Sequence, residues 1–197
     1  MEKTIYSKKR SATRKKIDDV FIESFRSSGS PELTVKEICE KAGINRSTFY
    51  VYYKDTEDMM DQIESRLVNQ FEKAIAPVID LNFDNTARVT MAVMEFNREN
   101  GYLPMLLIST GSIDFVYKIS TAVTEMITGT HILSEYDREK ITMLFTYHFA
   151  GMSMVMRQMK ETRSLSDENY ELMAQKLLEL ILPVVKNGIL PAIKELY

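Results

Sequence analysis

The 197-residue sequence has little of what breaks helices or builds covalent sites: 7 Gly, 5 Pro, one Cys and no Trp. The single cysteine, Cys39, excludes an internal disulfide and any cysteine-rich zinc site. The two histidines, His131 and His148, have no metal-ligand spacing. No apolar run approaches the roughly 18 residues that span a bilayer, and residues 1–10 lack the apolar core of a signal peptide. We therefore expect a cytoplasmic chain without metal or cofactor.

Sequence signatures of catalysis are missing as well. The chain has no nucleophile elbow, no phosphate-binding glycine loop and no paired carboxylates beside a glycine turn, so we do not expect an enzyme. What it does contain is 45% hydrophobic residues, including 13 Met, which is enough to bury a core. Few breakers and many straight-chain apolar residues favour helices over sheets.

Charge is divided unevenly along the chain. Residues 1–54 carry 12 Lys+Arg against 7 Asp+Glu, whereas residues 55–197 carry 13 against 21. A basic N-terminal part on an acidic body is what phosphate binding by one end requires, although chance fluctuation of surface charge would produce the same split.

Apolar residues at helical spacing predict an all-α fold, and no segment alternates like a strand. The predicted helices cover about residues 11–26 and 35–42, a short helix opened by Asn45, a helix that is capped by Thr56 and runs to about Ile75, and about 86–99, 103–109, 113–128, 138–160 and 168–186. Pro183, Gly188 and Pro191 predict breaks towards the end of the chain. We expect a DNA-binding domain at 1–56, a connecting helix at about 57–75 and a regulatory and dimerisation domain at 76–197.

The segment that carries functional information lies near the N-terminus. Thr34 and Glu37 have the spacing of a capping box, and Gly43 favours a left-handed turn between two short helices. Two short helices joined by such a turn form a helix-turn-helix, in which the start of the second helix meets base edges in the major groove. Here that start contains Asn45, Arg46, Ser47 and Thr48, whose side chains can hydrogen-bond bases. Of the aromatic residues that follow, we expect Phe49 and Tyr53 in the core and Tyr50 and Tyr52 on DNA.

Residues 33–60, LTVKEICEKAGINRSTFYVYYKDTEDMM, resemble the signature of the TetR-type transcriptional regulators. The resemblance implies a homodimer that binds a palindromic operator, with a helical body that holds a small-molecule effector and changes the spacing of the two DNA-binding domains. Carried over by position, it assigns to DNA binding Thr34, Lys36, Asn45, Arg46, Ser47, Thr48, Tyr50, Tyr52, Lys54 and Thr56. Of these, Arg46, Ser47 and Thr48 would contact bases.

Two positions depart from the pattern of that family. Members often have a lysine at the start of the fourth helix, where this chain has Thr56, and Lys54 could compensate for the lost charge. Cys39 stands where a small alanine is usual, and we interpret it as a small buried hydrophobic residue. The basic residues of 8–16 could contact phosphates, although a solvated helix start is the commoner role of such a run.

For the body, sequence reasoning gives two weaker predictions. The pocket residues for an effector are predicted to be Met91, Met94, Glu95, Arg98, Phe115, Tyr147 and His148, although most such positions would equally suit an ordinary core. Apolar residues at three- and four-residue spacing in the last two long helices predict a two-fold dimer interface, with an ordinary monomer core as the alternative. The residues assigned to that interface are Ile141, Leu144, Gly151, Met152, Val155, Met159, Leu177 and Ile181.

The main prediction is therefore a ligand-responsive, sequence-specific DNA-binding regulator, most simply a repressor. The alternative from another class is a helical protein-interaction module that keeps this fold but acts through a protein partner, as a coactivator would. Retention of a stoichiometric protein partner without retention of DNA would favour the second.

Overall fold

The computed structural model describes residues 2–28, 33–78, 86–101, 103–110, 112–129 and 134–161, followed by 172, 176, 179, 183–189 and 191. All secondary structure within these residues is helical, as the sequence predicts. The helices are α1 (Glu2–Ser28), α2 (Val35–Ala42), α3 (Arg46–Tyr50), α4 (Thr56–Ile75), α5 (Thr86–Glu99), α6 (Leu103–Thr110), α7 (Ile113–Thr128) and α8 (Glu135–Glu161). Among the described helices, none has the length and apolar character needed to cross a membrane.

The chain divides into two compact units, Met1–Glu64 and Ser65–Tyr197, with the boundary inside α4. Each unit has its own buried residues. The predicted helix at 168–186 lies largely outside the described residues, so Leu177 and Ile181 cannot be placed. Near that end, Gly188 lies inside a one-turn π-helix, Val185–Ile189, so the chain is helical at Gly188, where the sequence predicts a break.

The first unit is built around one apolar stripe of α1. Ile17, Phe21 and Phe25 are 0%, 1% and 4% exposed, at the spacing that places side chains on one face of a helix. The other buried apolar residues of this unit come from α2, α3, the segment after α3 and α4: Ile38, Cys39, Phe49, Tyr53, Met59 and Ile63. The prediction for α1 was wrong at its start, because the helix begins at Glu2 and not near Ser11. Residues 2–10 contain neither Gly nor Pro, so nothing in them stops the helix from extending towards the N-terminus.

The second unit is organised around α7, which is buried along most of its length. Its apolar residues include Phe115, Ile119 and Ile127, while the buried hydroxyls of Ser120 and Thr124 donate to carbonyl oxygens one turn earlier, at 2.6 and 2.9 Å. Such bonds satisfy hydroxyl groups that burial would otherwise leave unpaired. The helix therefore tolerates polar side chains in an apolar environment.

Helix α8 packs against α7 and α6. Its apolar contribution comes from Ile141 and Phe145, which are 0% and 2% exposed. Polar contacts tie the same helices together: the Arg138 guanidinium donates to Glu125 at 3.2 Å, and that of Arg157 donates to the Thr110 carbonyl at the end of α6, at 2.8 Å. A cation at the carboxyl end of a helix is favoured by the helix dipole. These contacts fix which face of α8 points inward.

Candidate DNA-binding surface

The turn between α2 and α3 is held by the hydrogen bonds that the sequence predicts. The Glu37 amide donates to the Thr34 hydroxyl oxygen at 3.3 Å, and the Thr34 amide donates to the Glu37 carboxylate at 2.8 Å, completing the capping box. Hydrogen bonds from Thr34 lower the pKa of Glu37, so the carboxylate is charged at the positive end of α2. At the other end, Gly43 adopts φ 65° and ψ 39°, a left-handed conformation that glycine accepts at little cost.

Helix α3 is short, and Asn45 fixes its start. The Asn45 side-chain oxygen accepts from the Thr48 amide at 2.8 Å and also contacts the hydroxyls of Ser47 at 2.7 Å and Thr48 at 2.8 Å. Asn45, Arg46 and Ser47 are exposed, whereas Thr48 is half-buried. Phe49 of this helix is 0% exposed and anchors the helix in the core of the first unit. Of the four side chains predicted to meet DNA at this helix start, those of Asn45, Arg46 and Ser47 are therefore open to solvent, and that of Thr48 is partly covered.

The aromatic residues after Thr48 divide between core and surface. Tyr53 is 1% exposed and its hydroxyl donates to Asp18 of α1 at 2.5 Å, while Tyr50 is 55% exposed. Tyr52 is half-buried, and the Arg10 guanidinium lies 5.9 Å from its ring centre. The predicted burial of Phe49 and Tyr53 and the exposure of Tyr50 agree with this arrangement. The Arg10 contact was not predicted, because only a helix that begins before Ser11 places Arg10 beside Tyr52.

The start of α4 differs from the prediction that Thr56 caps it. The Asp58 amide donates to the Asp55 carboxylate at 2.8 Å, so Asp55 is the N-cap and Thr56 is the first residue of the helix. A carboxylate is a stronger acceptor than a hydroxyl and is favoured by the helix dipole, which explains the preference. The Lys54 amide donates to Asp58 at 2.8 Å, and this bond, with one from Gln62, lowers the pKa of Asp58. The Lys54 side chain is exposed.

The surface formed by α2, α3 and the start of α4 carries few cations. Arg46 is exposed, Lys54 is exposed, and Lys36 lies 3.8 Å from Glu40. Over Met1–Glu64 the chain has 12 Lys+Arg and 12 Asp+Glu, so the surplus counted to residue 54 does not extend over the whole unit. Cys39 is buried, and desolvation raises the pKa of its thiol, which disfavours a reactive thiolate.

The residues predicted to line an effector pocket lie on three helices and in different environments. On α5, Met91 is 65% exposed, Met94 is half-buried, and Glu95 and Arg98 form an exposed ion pair at 2.6 Å. Phe115 of α7 is 0% exposed and Tyr147 of α8 is 82% exposed. A groove of 660 Å³ includes Tyr147 in its lining, along with α7 and α8 residues such as Tyr117, Arg138, Thr142 and Met143. The pocket assignment stays a prediction.

Among the described residues of the second unit, two buried side-chain polar atoms have no hydrogen-bond partner. They are the Asn97 side-chain oxygen on α5 and Nε2 of His148 on α8. Desolvation lowers the pKa of His148, so burial favours its neutral form. Asn97 was missed by sequence reasoning, because nothing in the pattern of α5 distinguishes a buried asparagine from an exposed one.

The residues predicted to form a dimer interface do not share one environment on α8. Ile141 is buried within its own chain, Leu144 and Met152 are half-buried, and Gly151 and Val155 are exposed. Met159 lies in the helix, but its side chain is outside the described part. Among the described side chains of α8, the strongly exposed apolar ones are instead those of Tyr136, Met143, Tyr147 and Met154, at 71%, 62%, 82% and 75%. With about 100° per residue, these four lie within about 20° of one line along the helix, and we call them the α8 stripe.

Comparison with known proteins supports the interpretation of the first unit. Residues 20–63, from the second half of α1 into α4, match the family model of the bacterial regulatory proteins, tetR family. No curated protein matches the chain. Among solved structures, the dihydroxyacetone kinase operon activator DhaS is similar, with 18% identity and a TM-score of 0.49 over 89% of this chain and 97% of that one.

Proposed function

We propose that this chain is a DNA-binding regulator of the tetR family, as the match of residues 20–63 supports, and that it is a ligand-responsive repressor that binds a palindromic operator as a homodimer. The observation that carries the DNA-binding part is the geometry of α3. Buried Phe49 anchors the helix in the core of the first unit, and the side chains of Arg46 and Ser47 at the start of the helix are exposed. A short helix with such a tip can enter the major groove and present polar groups to base edges.

The side chains of this surface have separate tasks in the proposal. Arg46 carries five donors in a planar fork and suits the two acceptors of guanine. Lys36 and Lys54 lie outside α3 and are exposed, so they suit the phosphate backbone on either side of the groove. The exposed Tyr50 hydroxyl and the Tyr52 ring, supported by Arg10, would add neutral contacts to the backbone. Thr34 and Thr56 would contribute at the starts of their helices.

The α8 stripe supports the homodimer. From Tyr136 to Met154 it runs five turns, about 27 Å of helix, and all four side chains are more than 60% exposed. A soluble monomer rarely leaves so long an apolar line open. A second copy can cover it by a two-fold contact, since such an interface uses the same patch on both subunits. The proposed contact face thus moves from Ile141, which is buried in its own chain, to the opposite side of α8.

The unpaired oxygen of Asn97 supports an effector that binds in the second unit. An unpaired buried polar group costs about 1–3 kcal/mol, and a bound molecule with a hydrogen-bond donor would recover part of that cost. His148 Nε2, also unpaired, could accept from the same class of molecule. An effector changes DNA affinity only by its differential binding to two states of the dimer, and we propose that the operator-competent state is the one it disfavours.

The DNA-binding roles are tested by comparing single alanine variants on DNA selected from genomic fragments. We expect Arg46→Ala to weaken binding by about 1–3 kcal/mol and to relax sequence preference, because it removes a base contact. Lys54→Ala should weaken binding to all sequences and reduce the slope of log affinity against log salt by about 1. Lys41→Ala is the matched control, since its exposed cation lines a groove with Asp19 and Glu23 of α1 and is assigned no contact with DNA.

Two outcomes would contradict this assignment. Equal effects of Arg46→Ala and Lys54→Ala on specificity and on the salt slope would show that the two cations do not have different tasks. Recovery of no enriched sequence by the unsubstituted protein would argue against the repressor and for a module that acts through a protein partner.

The dimer is tested by placing a charge in the α8 stripe. Tyr147→Glu should convert the dimer to a monomer in sedimentation velocity at micromolar concentration, because the carboxylate would be buried unpaired at the interface. Ile113→Glu is the control, since Ile113 is also 82% exposed but lies at the start of α7, off the stripe. A wild-type monomer, or an equal effect of both variants, would refute the proposed face.

A further inference from the structure

The hydrogen bonds around Asn45 fix the direction in which two hydroxyl protons point. The Thr48 backbone nitrogen lies 2.8 Å from the Asn45 side chain, and a backbone amide can only donate. The contacted atom is therefore the side-chain oxygen and not the nitrogen, which removes the usual uncertainty about the orientation of an asparagine amide. That oxygen also contacts the Ser47 hydroxyl at 2.7 Å and the Thr48 hydroxyl at 2.8 Å.

A carboxamide oxygen has no proton, so both hydroxyls must be the donors in these contacts. A hydroxyl has one proton and two lone pairs, and the single proton of each is now used within the protein. Outward, Ser47 and Thr48 present lone pairs only. The Asn45 nitrogen, with two N–H groups, and the Arg46 guanidinium present donors only.

We propose that Ser47, with Thr48 beside it, contacts DNA as an obligate hydrogen-bond acceptor and selects the exocyclic amino group of adenine or cytosine in the major groove. The inference rests on the proposed function, which supplies the DNA; the hydrogen bonds decide only which base atoms the surface accepts. In the major groove, adenine N6 and cytosine N4 are donors, while guanine N7 and O6, adenine N7 and thymine O4 are acceptors. Against any of those acceptors, Ser47 would place a lone pair opposite a lone pair.

Ser47 is the stronger determinant of the two, because its side chain is exposed and that of Thr48 is half-buried. Asn45 is a positioning residue in this scheme, since it acts on the bases through the hydroxyls it orients. Ser47 could turn its proton outward only by giving up its bond to Asn45. We therefore expect a discrimination of about three- to tenfold at one base pair of each half-site, the size of a single exchanged hydrogen bond.

The experiment begins with selection of binding sites from a randomised duplex library by the full-length protein and by Ser47→Ala. The base pair whose preference Ser47→Ala loses is then rebuilt with analogues that differ in single atoms. Purine in place of adenine, or pyrimidin-2-one in place of cytosine, removes the amino group. A 7-deaza purine removes the N7 acceptor of the same pair.

We expect removal of the amino group to weaken wild-type binding about three- to tenfold and to leave Ser47→Ala binding unchanged. Because both proteins are measured on the same modified duplex, this comparison controls for the base-pairing hydrogen bond that the duplex loses. Removal of N7 should have the same effect on both proteins. Asn45→Asp keeps an acceptor oxygen at the same place, so it should retain the preference at the Ser47 pair even where affinity falls. Asn45→Ala releases both hydroxyls and should broaden that preference, with helical circular dichroism confirming that the variant is folded.

Failure of the inference differs from failure of the proposed function. An enriched site at which Ser47→Ala changes no base preference, or at which the Ser47 pair responds to loss of N7 and not of the amino group, would overturn the inference and leave the regulator standing. Recovery of no enriched site by the wild-type protein would overturn both.

Discussion

The hydrogen bond between Tyr53 and Asp18 should contribute measurably to the stability of the first unit. It joins residues 35 positions apart, from the segment after α3 to α1, with an oxygen–oxygen distance of 2.5 Å. Tyr53→Phe removes the hydroxyl and keeps the ring, which packs 5.7 Å from that of Phe49. A hydrogen bond to a charged acceptor contributes about 1.5–3 kcal/mol. Asp18 is only half-buried, and water can partly replace the phenol, so we expect a loss of about 1.5–2 kcal/mol, the lower part of that range.

The assay is urea denaturation of the full chain followed by helical circular dichroism, with Tyr52→Phe as the matched control. Tyr52 is the adjacent tyrosine, and its ring contact with Arg10 survives in phenylalanine, so we expect a change within about 0.5 kcal/mol. Asp18→Ala, alone and combined with Tyr53→Phe, completes a double-mutant cycle that isolates the pair. If Tyr53→Phe is no more destabilising than Tyr52→Phe, or if the two sites are additive, the bond does not stabilise the unit as argued.

Two further substitutions test the turn and the buried histidine. Gly43→Ala should destabilise the chain by about 1–2 kcal/mol, because alanine is strained in the left-handed region; Gly43 has φ +65°, and an added Cβ would meet no atom within 4 Å. An Asn at this position should cost less in the same urea assay, and equal costs would point to a cause other than backbone strain. Burial lowers the pKa of His148 from 6.5 in the folded chain. As the pH falls from 6.5 towards that lowered pKa, only the unfolded chain takes up the proton, so the free energy of unfolding decreases. Above pH 6.5 the stability linked to this residue is fully present. Unfolding free energy should therefore fall between pH 7 and pH 5 less steeply in His148→Gln, and parallel curves would refute this.

The local structure of the DNA-binding unit could be predicted from sequence because its signals are short-range. The capping box of Thr34 and Glu37, the left-handed Gly43 and the Asn45 cap each depend on residues at most four positions apart. Where prediction failed, two similar local solutions competed. Asp55 and Thr56 are both good N-cap residues, and only the three-dimensional arrangement shows that Asp55 accepts the Asp58 amide.

The packing of the second unit was harder to predict from the sequence. Helical periodicity shows which face of a helix is apolar, but it does not show which helix or subunit covers that face. In α8 the sequence contains two apolar lines on nearly opposite sides, one through Ile141 and Phe145 and one through Tyr136 and Met154. Both fit helical spacing, and the first was predicted to meet a second subunit. The structure places it against α7 and α6 of the same chain. The second line is hard to assign from the sequence, because amphipathic Tyr and flexible, polarizable Met occur both in cores and on surfaces.

The charge balance of the first unit bears on how the proposed contacts with DNA would work. With 12 cations and 12 anions over Met1–Glu64, net attraction to a polyanion is weak, and long-range steering contributes little. Several anions are held in helix caps, however: Glu37 bonds to Thr34, and Asp55 and Asp58 bond to backbone amides at the start of α4. Arg46 and Lys54 remain exposed beside them. Affinity must then come from a few well-placed cations and neutral donors, so the salt dependence should be shallow and the fixed hydrogen-bond directions at α3 should carry a large share of the specificity.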